Sequence, residues 1–329
     1  MLSIIIINYN SKYVLQNCLQ SLSTIKIDIE KEILVIDNAS SESIIDLKAE
    51  FPNVKFIFNK ENLGFATANN IGIRKSKGEF VLLLNPDTIV NENSFQPMID
   101  YLDEHEEVGV VGCKIFNADG EIERSTHSFP SLLKEFVHAN EFIKSFLGYE
   151  SNILKGVKTL LGLKSLESYW DHNSTREVDH VTGACMMLKR EVIEKVGLLD
   201  EAFFLYNEEV EWSLRIKKAG YRIVFLPGSD IIHLFGHSTK QKVQKQTVNN
   251  LLVERYRGMF YFFQKHFSRY HLLLLRFIVL EGFFFRFCYK VFSLIFAKDR
   301  TKSDTKKEIL TINQIMKLAF KSNFDWRSK

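Results

Sequence analysis

Three glutamates, Glu208, Glu209 and Glu211, lie close together after an aromatic run. Like charges this close repel, so such a cluster is favoured at a helix N-terminus, where the peptide dipole stabilises anions, or in a site that moves a proton. Asn207 is a suitable N-cap for such a helix. Arg215 follows Glu211 by four residues, which is the spacing of an ion pair on one helix face. Glu208 and Glu209 remain as candidate proton acceptors.

Two further groups could bind a metal ion. In Asn85-Pro86-Asp87, which follows an apolar run, Pro86 holds Asn85 extended and presents Asp87 on a rigid turn. Carboxylate oxygens are preferred ligands of hard cations such as Mg²⁺. His233 stands alone at the end of a later apolar run, where a packed side chain and a metal ligand are both open interpretations.

The elements that must position these residues alternate between strand and helix from the start of the chain. The apolar runs Ser3 to Asn8, Glu32 to Ile36, Val54 to Phe58 and Phe80 to Leu84 predict strands, with helical periodicity between them that includes a helix around Ser43 to Glu50. Tyr221 to Gly228 predicts a later strand and turn, which precede His233. This order predicts an α/β fold with a doubly wound, mainly parallel sheet flanked by helices. Ligands of such sheets bind beyond the carboxyl ends of the strands. The residues expected at that edge are Tyr9-Asn10, Asp37-Asn38, Asn62 to Gly64 and Asn85 to Asp87.

Taken in order, these motifs resemble the family 2 glycosyltransferases, which are inverting enzymes of the GT-A fold, and within them the rhamnosyltransferase-like branch. The resemblance runs from Leu2 to about Ser238. It depends on the segments Ile5 to Asn10, Val35 to Ser40, Asn62 to Phe65, Asn69 to Gly72, Asn85 to Asp87 and Glu208-Glu209.

The resemblance implies a role for each matching residue. Asp37 would hydrogen-bond the nucleobase, and Asp87 with His233 would bind Mg²⁺ or Mn²⁺ on the donor diphosphate. Glu209 would be the catalytic base, with Glu208 supporting it. The residues implied in donor binding are Asn8, Tyr9, Asp37, Asn62, Gly64, Asn69, Asn85, Asp87 and Gly183.

The distribution of charge divides the chain. Its net charge is +3, but from Lys240 onward 19 Lys and Arg face 6 Asp and Glu, a net charge of +13. We expect a GT-A domain over residues 1–239, with a nucleotide-binding half (1–115) and an acceptor half (116–239), and a helical basic extension over 240–329. The four cysteines form no C-x-x-C pair, which favours a reducing, cytoplasmic location.

Residues 260–298 alternate basic and apolar side chains without a run long enough to span a membrane. On one helix, a basic stripe would include Lys265, Arg269, Arg276, Arg286, Lys290 and Lys298, as in helices that lie on anionic membranes. We therefore predict a peripheral protein on the inner face of the cell membrane. A core-packing helix or a homo-oligomer contact is the alternative. Nucleic-acid binding is disfavoured, because the basic residues are interleaved with Leu and Phe.

The predicted activity is metal-dependent transfer of a sugar, with rhamnose as the candidate, from a dTDP- or UDP-sugar donor. The acceptor would be a saccharide or lipid-linked glycan of cell-surface polysaccharide assembly. One alternative is a nucleotidyltransferase that makes nucleotide sugars, which would need a Gly-rich basic loop where this chain has Asn8 to Lys12. The other is an inactive glycan-binding module.

Overall fold

The computed structural model describes residues 1–140, 172–234, 245–296 and 299–325. These residues form two compact units. The first unit comprises 1–129, 172–201 and 208–234, and the second comprises 130–140, 202–207, 245–296 and 299–325. The predicted boundary between residues 239 and 240 lies outside the described residues and stays a prediction.

A mixed, mainly parallel sheet forms the centre of the first unit, in the order β3-β2-β1-β4-β11-β6-β12-β5. β7 extends it beside β6 and β9 beside β12, and β8 pairs with β10 in a separate small sheet. The strands are β1 Leu2–Asn8, β2 Lys31–Asp37, β3 Val54–Phe58, β4 Phe80–Leu84, β5 Thr88–Val90, β6 Val108–Asn117, β7 Ile122–Glu123, β8 Thr126–His127, β9 Arg176–Glu177, β10 His180–Val181, β11 Cys185–Lys189 and β12 Arg222–His233.

Helices cover both faces of this sheet. In β1, Ile4 and Ile6 pack into one buried cluster, and Ile5 packs into another on the opposite face. Because successive side chains of a strand point to opposite faces, an unbroken apolar run is what a sheet covered on both sides requires. The helices of this unit are α1 Lys12–Thr24, α2 Leu47–Glu50, α3 Gly64–Lys75, α4 Gln96–Glu104, α6 Arg190–Val196 and α7 Glu208–Lys218.

The second unit is helical in its described residues. Its helices are α5 Leu132–Ala139, α8 Lys245–His266, α9 Arg269–Phe296 and α10 Asp299–Leu318. α5 crosses α9 closely at Gly282, where a Cβ would lie 2.7 Å from the carbonyl oxygen of Ala139. Of the helices described, none is both long enough and apolar enough to cross a membrane.

The prediction of one basic helical stripe that includes Lys265 is wrong. The helix is interrupted at Phe267 and Ser268, so that Lys265 belongs to α8. Along α9, Arg276 donates to the carbonyl oxygen of Lys321 at 2.7 Å, and Lys290 forms an ion pair with Glu308.

Apart from Arg269 and His271 at its start, the described side chains that α9 exposes are mainly apolar. Each of the following is more than half exposed: Tyr270, Leu273, Leu274, Phe277, Phe284, Phe285, Tyr289, Phe292 and Ile295.

Candidate active site

Asp37, the last residue of β2, lies at the centre of a hydrogen-bonded cluster. Its Oδ1 accepts from Asn8 Nδ2 at 2.7 Å and from the hydroxyl of Ser40 at 2.6 Å. The Ser40 backbone N–H donates to Oδ2 at 3.2 Å. Asn8 and Asp37 are register partners at the ends of β1 and β2, as expected for residues at the carboxyl ends of parallel strands. Both residues are buried, so the carboxylate is held by donors of the protein itself.

Asn38 connects this cluster to the start of α3. Its Nδ2 donates to Asn62 Oδ1 at 2.8 Å, and its Oδ1 accepts from the backbone N–H of Leu63 at 3.1 Å. Asn62 Oδ1 also accepts from the N–H of Gly64 at 3.0 Å, which satisfies a donor in the first turn of the helix. We call Asn8, Asp37, Asn38, Ser40 and Asn62 the aspartate corner.

A cleft of about 480 Å³ opens beside Asp37. Its lining includes Ser40, Asn59, Lys60 and the half-exposed ring of Phe58. Polar groups beside an accessible aromatic ring suit a planar ligand that also forms hydrogen bonds.

Two other predicted donor-binding residues differ in exposure. Tyr9 is half exposed and directly follows β1. Asn69 is buried, and its amide donates to the carbonyl oxygen of Phe65 within α3. The roles of both in donor binding stay predictions.

Asp87 and His233 come together although they are far apart in the sequence. Asp87 Oδ1 lies 3.2 Å from His233 Nε2, and Asn85 Nδ2 lies 3.5 Å from the same nitrogen. The cause is the short strand β5, which pairs antiparallel with the end of β12 and places Thr88 opposite His233. The Leu234 N–H donates to the Asp87 carbonyl oxygen at 2.8 Å and fixes this register.

Glu123, which was not predicted from the sequence, contacts the other side of the imidazole. Its Oε2 lies 3.0 Å from His233 Nδ1. Glu123 belongs to β7, which returns along β6 after a turn at Gly120, where φ is +81°. Asp119-Gly120 after the apolar run of β6 is a hairpin signal that could have located this residue. We call Asn85, Asp87, Glu123 and His233 the histidine corner.

Charge is unbalanced in the histidine corner. Burial lowers the pKa of His233, but hydrogen bonds and charges from Asp87 and Glu123 outweigh burial and raise it above its usual value. Carboxylate and imidazole donors converging on one point are a donor set that divalent cations accept. In the residues that the structure describes, no group of three or more His, Cys, Asp or Glu is arranged to hold a metal ion. The pair Asp87 and His233 therefore fits a cation that takes its remaining ligands from a bound molecule.

The glutamate cluster divides by environment. Glu211 is fully buried, and both its carboxylate oxygens accept from Arg215 Nε at 3.0 and 2.9 Å, which confirms the predicted ion pair. Glu208 is also buried, and its Oε2 has no hydrogen-bond partner among the described residues. Burial, followed by the charge of Glu209, raises the pKa of Glu208 well above its usual value.

Glu209 lies beside the backbone of Gly183. It is partly exposed, and a Cβ added to Gly183 would lie 4.0 Å from Glu209 Cβ and 3.7 Å from the ring of Phe65. Gly183 thus brings backbone close to α7 and to the first turn of α3. The two predicted residues Gly183 and Glu209 are neighbours in space.

The comparison that decides the family is a match to the model of Glycosyl transferase family 2 over residues 3–197, more than half of the chain. The chain belongs to this family. The resemblance inferred from the motifs is confirmed, and so is the predicted class of activity, glycosyl transfer.

Two relatives illustrate the range of this glycosyltransferase family. The low-salt glycan biosynthesis hexosyltransferase Agl10 of Haloferax volcanii is 28% identical over 236 residues, which cover 70% of this chain and 66% of Agl10, just under two thirds. The N-acetylglucosaminyl-diphospho-decaprenol L-rhamnosyltransferase of Mycobacterium tuberculosis is 26% identical over 263 residues, which cover 72% of this chain and 77% of that enzyme.

A solved structure gives the fold of this family 2 glycosyltransferase independently. The mannosyltransferase PcManGT of Pyrobaculum calidifontis, solved in complex with GDP-Man and Mn²⁺, is 15% identical with a TM-score of 0.54. The match covers 100% of this chain and 88% of that chain. At this identity the likeness shows the fold alone, and it confirms the predicted GT-A class.

Proposed function

We propose that this chain transfers a sugar from a nucleoside diphosphate donor, with inversion at the anomeric carbon, to a saccharide or lipid-linked acceptor in polysaccharide assembly. The proposed donor is a dTDP- or UDP-sugar, with rhamnose as the sugar. The observation that carries the proposal is the convergence of Asp87 with His233 at one end of the sheet and of Glu209 with Gly183 at the start of α7. The rhamnosyltransferase of M. tuberculosis supports the choice of sugar and of a lipid-linked acceptor.

Glu209 is the proposed general base. Single displacement requires a carboxylate that takes the proton of the acceptor hydroxyl as it attacks. Such a base must be ionised and accessible to the substrate. Glu209 lies beside Gly183 and is less buried than Glu208, although its Oε2 is itself buried, and the raised pKa of Glu208 favours the protonated form of that neighbour. These environments support Glu209 over Glu208.

The donor would lie between the two corners of the sheet edge. The aspartate corner and the adjoining cleft would hold the nucleoside, with Asp37 at the nucleobase. Asp87 and His233 would hold Mg²⁺ or Mn²⁺, which neutralises the negative charge of the leaving diphosphate when it is bound. Gly183 would allow the sugar to approach the backbone beside Glu209.

A thermal-shift panel tests the donor. We expect dTDP- or UDP-sugars to raise the Tm in the presence of Mn²⁺ and to lose most of that effect in EDTA, because ligands that bind the folded state stabilise it. ADP-glucose serves as the control nucleotide sugar. Equal shifts with and without Mn²⁺ would contradict metal-dependent donor binding.

A matched pair of variants tests the base. Glu209→Gln should lower kcat by about 10²- to 10⁴-fold, the usual contribution of general base catalysis, while the donor-induced shift in Tm persists. Glu208→Gln is the neighbouring control and should lower kcat by less. If the two variants lose activity equally, or if Glu208→Gln loses more, Glu209 is not the base.

We also propose that the apolar face of α9 lies in the membrane interface, on the inner face of the cell membrane. The predicted partner, an anionic membrane, is kept. The apolar face of α9 rather than a basic stripe would contact it, because most of the exposed side chains of α9 are aromatic or aliphatic. An exposed apolar patch of this length marks a docking surface. The net charge of +13 after residue 239 supports an anionic membrane as its partner.

Co-sedimentation with liposomes tests this surface. Charges placed on the apolar face, as in Phe277→Glu with Phe292→Glu, should reduce binding to vesicles that contain phosphatidylglycerol. Tyr13→Glu is the matched control, since Tyr13 is an equally exposed aromatic residue in the other unit. Equal sedimentation of the double variant and the control would contradict the proposal.

A further inference from the structure

Glu123 contacts His233, one of the two proposed cation ligands, at 3.0 Å. We propose that Glu123 is a positioning residue that orients His233 for cation binding. This inference rests on the proposed function, because it assigns Glu123 a role only if His233 binds the cation. The contacts of the His233 imidazole with Glu123 and Asp87 support this role.

The contact with Glu123 determines which ring nitrogen of His233 carries a proton. An ionised carboxylate only accepts hydrogen bonds, so the 3.0 Å contact between Glu123 Oε2 and His233 Nδ1 requires a hydrogen on Nδ1. The lone pair of the neutral ring is then on Nε2. This nitrogen faces Asp87 Oδ1 at 3.2 Å. In the neutral ring Glu123 therefore selects the tautomer whose Nε2 can bind a cation beside Asp87, whereas without a cation the contact with Asp87 favours a hydrogen on Nε2 as well.

The same contacts fix the orientation of the His233 ring. His233 is buried, and carboxylates stand against both of its nitrogens. Rotating the ring by half a turn would place carbon atoms against both carboxylates and lose both contacts. A carboxylate on the far nitrogen of a metal-binding histidine also raises the basicity of the ligand nitrogen. Glu123 thus supplies orientation and basicity without touching the cation.

The pairing of two strands with β6 places Glu123 beside His233. β7 and β12 both pair with β6, and the register sets Glu123 opposite Ile115 and His233 opposite Asn117. The turn between β6 and β7 is closed by Asn117, whose Oδ1 accepts from the backbone N–H of Glu121 at 2.8 Å. The β6–β7 hairpin therefore brings the Glu123 carboxylate to Nδ1 of His233, whereas Asn85 and Asp87 face Nε2.

Histidine ¹⁵N NMR provides a readout that a merely structural role would not change. In protein labelled with [¹⁵N]histidine, with His233→Gln identifying the resonances, the metal-free wild type should have a protonated Nδ1. Glu123→Ala should shift this signal toward a mixture of tautomers. Glu123→Gln should preserve much of it, because the amide oxygen can still accept from Nδ1. Unchanged ¹⁵N shifts in Glu123→Ala would overturn the inference.

Mn²⁺ affinity, followed by EPR in the presence of dTDP or UDP, is the second readout. Glu123→Ala should weaken Mn²⁺ binding by roughly 10- to 100-fold, and Glu123→Gln by less. Glu121→Gln removes a charge from the same hairpin, where Glu121 Oε2 accepts from Asn117 Nδ2, and should bind Mn²⁺ like the wild type.

The outcomes separate this inference from the proposed function. If His233→Gln weakens Mn²⁺ binding and Glu123→Ala does not, the positioning role is wrong and the cation site stands. If His233→Gln leaves Mn²⁺ affinity unchanged, the cation does not bind at the histidine corner, and both proposals fail. A Tm of Glu123→Ala within a few degrees of the wild-type value shows that a loss of affinity is local.

Discussion

The aspartate corner and the histidine corner stand at the same edge of one sheet but differ in how their polar groups are satisfied. In the aspartate corner, the carboxylate of Asp37 accepts from Asn8 and from Ser40, and the amides of Asn38 and Asn62 bond to one another. In the histidine corner, the carboxylates of two residues, Asp87 and Glu123, face a single imidazole. The first corner balances its donors and acceptors, whereas the second has a surplus of negative charge.

This difference indicates different roles. A network whose members satisfy one another is rigid without a ligand and can present a fixed shape to a nucleoside. A site with surplus carboxylates favours a positive charge, from a proton on His233 or from a bound cation. Substitutions in the aspartate corner should therefore change the stability of the unliganded protein. Those in the histidine corner should change metal-dependent binding.

Among substitutions in the two corners, Asp87→Asn should have the largest effect on function. The substitution removes a charged cation ligand, and we expect transfer with Mn²⁺ to fall by roughly 100-fold or more. The free energy of unfolding should change by about 1 kcal/mol or less, because the Asn side chain can still accept from Nε2–H. Enzyme assays and thermal unfolding in EDTA give the two quantities. A large loss of Tm in EDTA would erase the distinction between the corners.

Asp37→Asn should have the converse effect. The new amide group would face donors, since Asn8 Nδ2 and the Ser40 N–H both point at this side chain. We expect a loss of about 1–3 kcal/mol in the free energy of unfolding without any ligand. Urea denaturation measures this quantity. Ser40→Ala, which removes one hydroxyl donor and leaves Asn8 in place, should cost less.

Glu208, which lies outside the two corners, tests whether ionising a buried carboxylate whose Oε2 has no hydrogen-bond partner among the described residues destabilises the fold. Its folded-state pKa is raised above the usual 4.5, so its stabilising contribution is complete below that pH and is lost as the pH rises toward the folded-state pKa. Glu208→Gln should therefore raise the Tm relative to wild type at pH 8, by about 2–4 °C for each kcal/mol relieved. The difference should vanish near pH 4.5. Glu92→Gln, which removes an exposed carboxylate, is the control.

The aspartate corner could be predicted from the sequence because its parts follow strands with unambiguous apolar runs. The predicted strands Val54 to Phe58 and Phe80 to Leu84 agree with the structure at both ends. Once parallel strands are aligned, Asn8 and Asp37 must be neighbours. The helix expected over residues 43–50 is reduced to α2, Leu47–Glu50, where few apolar positions recur.

The histidine corner depends on pairings that local patterns do not specify. β5 and β7 contain only Thr88–Val90 and Ile122–Glu123, which are too short for a periodic signal. The predicted strand ending near Gly228 in fact continues to His233 through a register shift between Leu226 and Asp230. Family resemblance supplied His233, but only the long-range register supplies its partner Glu123.

Gly120→Ala gives the smallest expected effect and tests whether the histidine corner depends on its hairpin. The position has open space for a Cβ but a φ of +81°, so an alanine would be strained by about 1 kcal/mol. β7 pairs with β6 at only two positions, and this strain would lower the fraction of molecules in which Glu123 reaches His233. We expect Mn²⁺ affinity to fall by a few-fold, while the weaker nucleotide binding that persists in EDTA stays as in the wild type. If nucleotide binding in EDTA weakens as well, the two corners are coupled. The aspartate corner, whose polar groups bond to one another, could then not be separated from the histidine corner, which requires a cation.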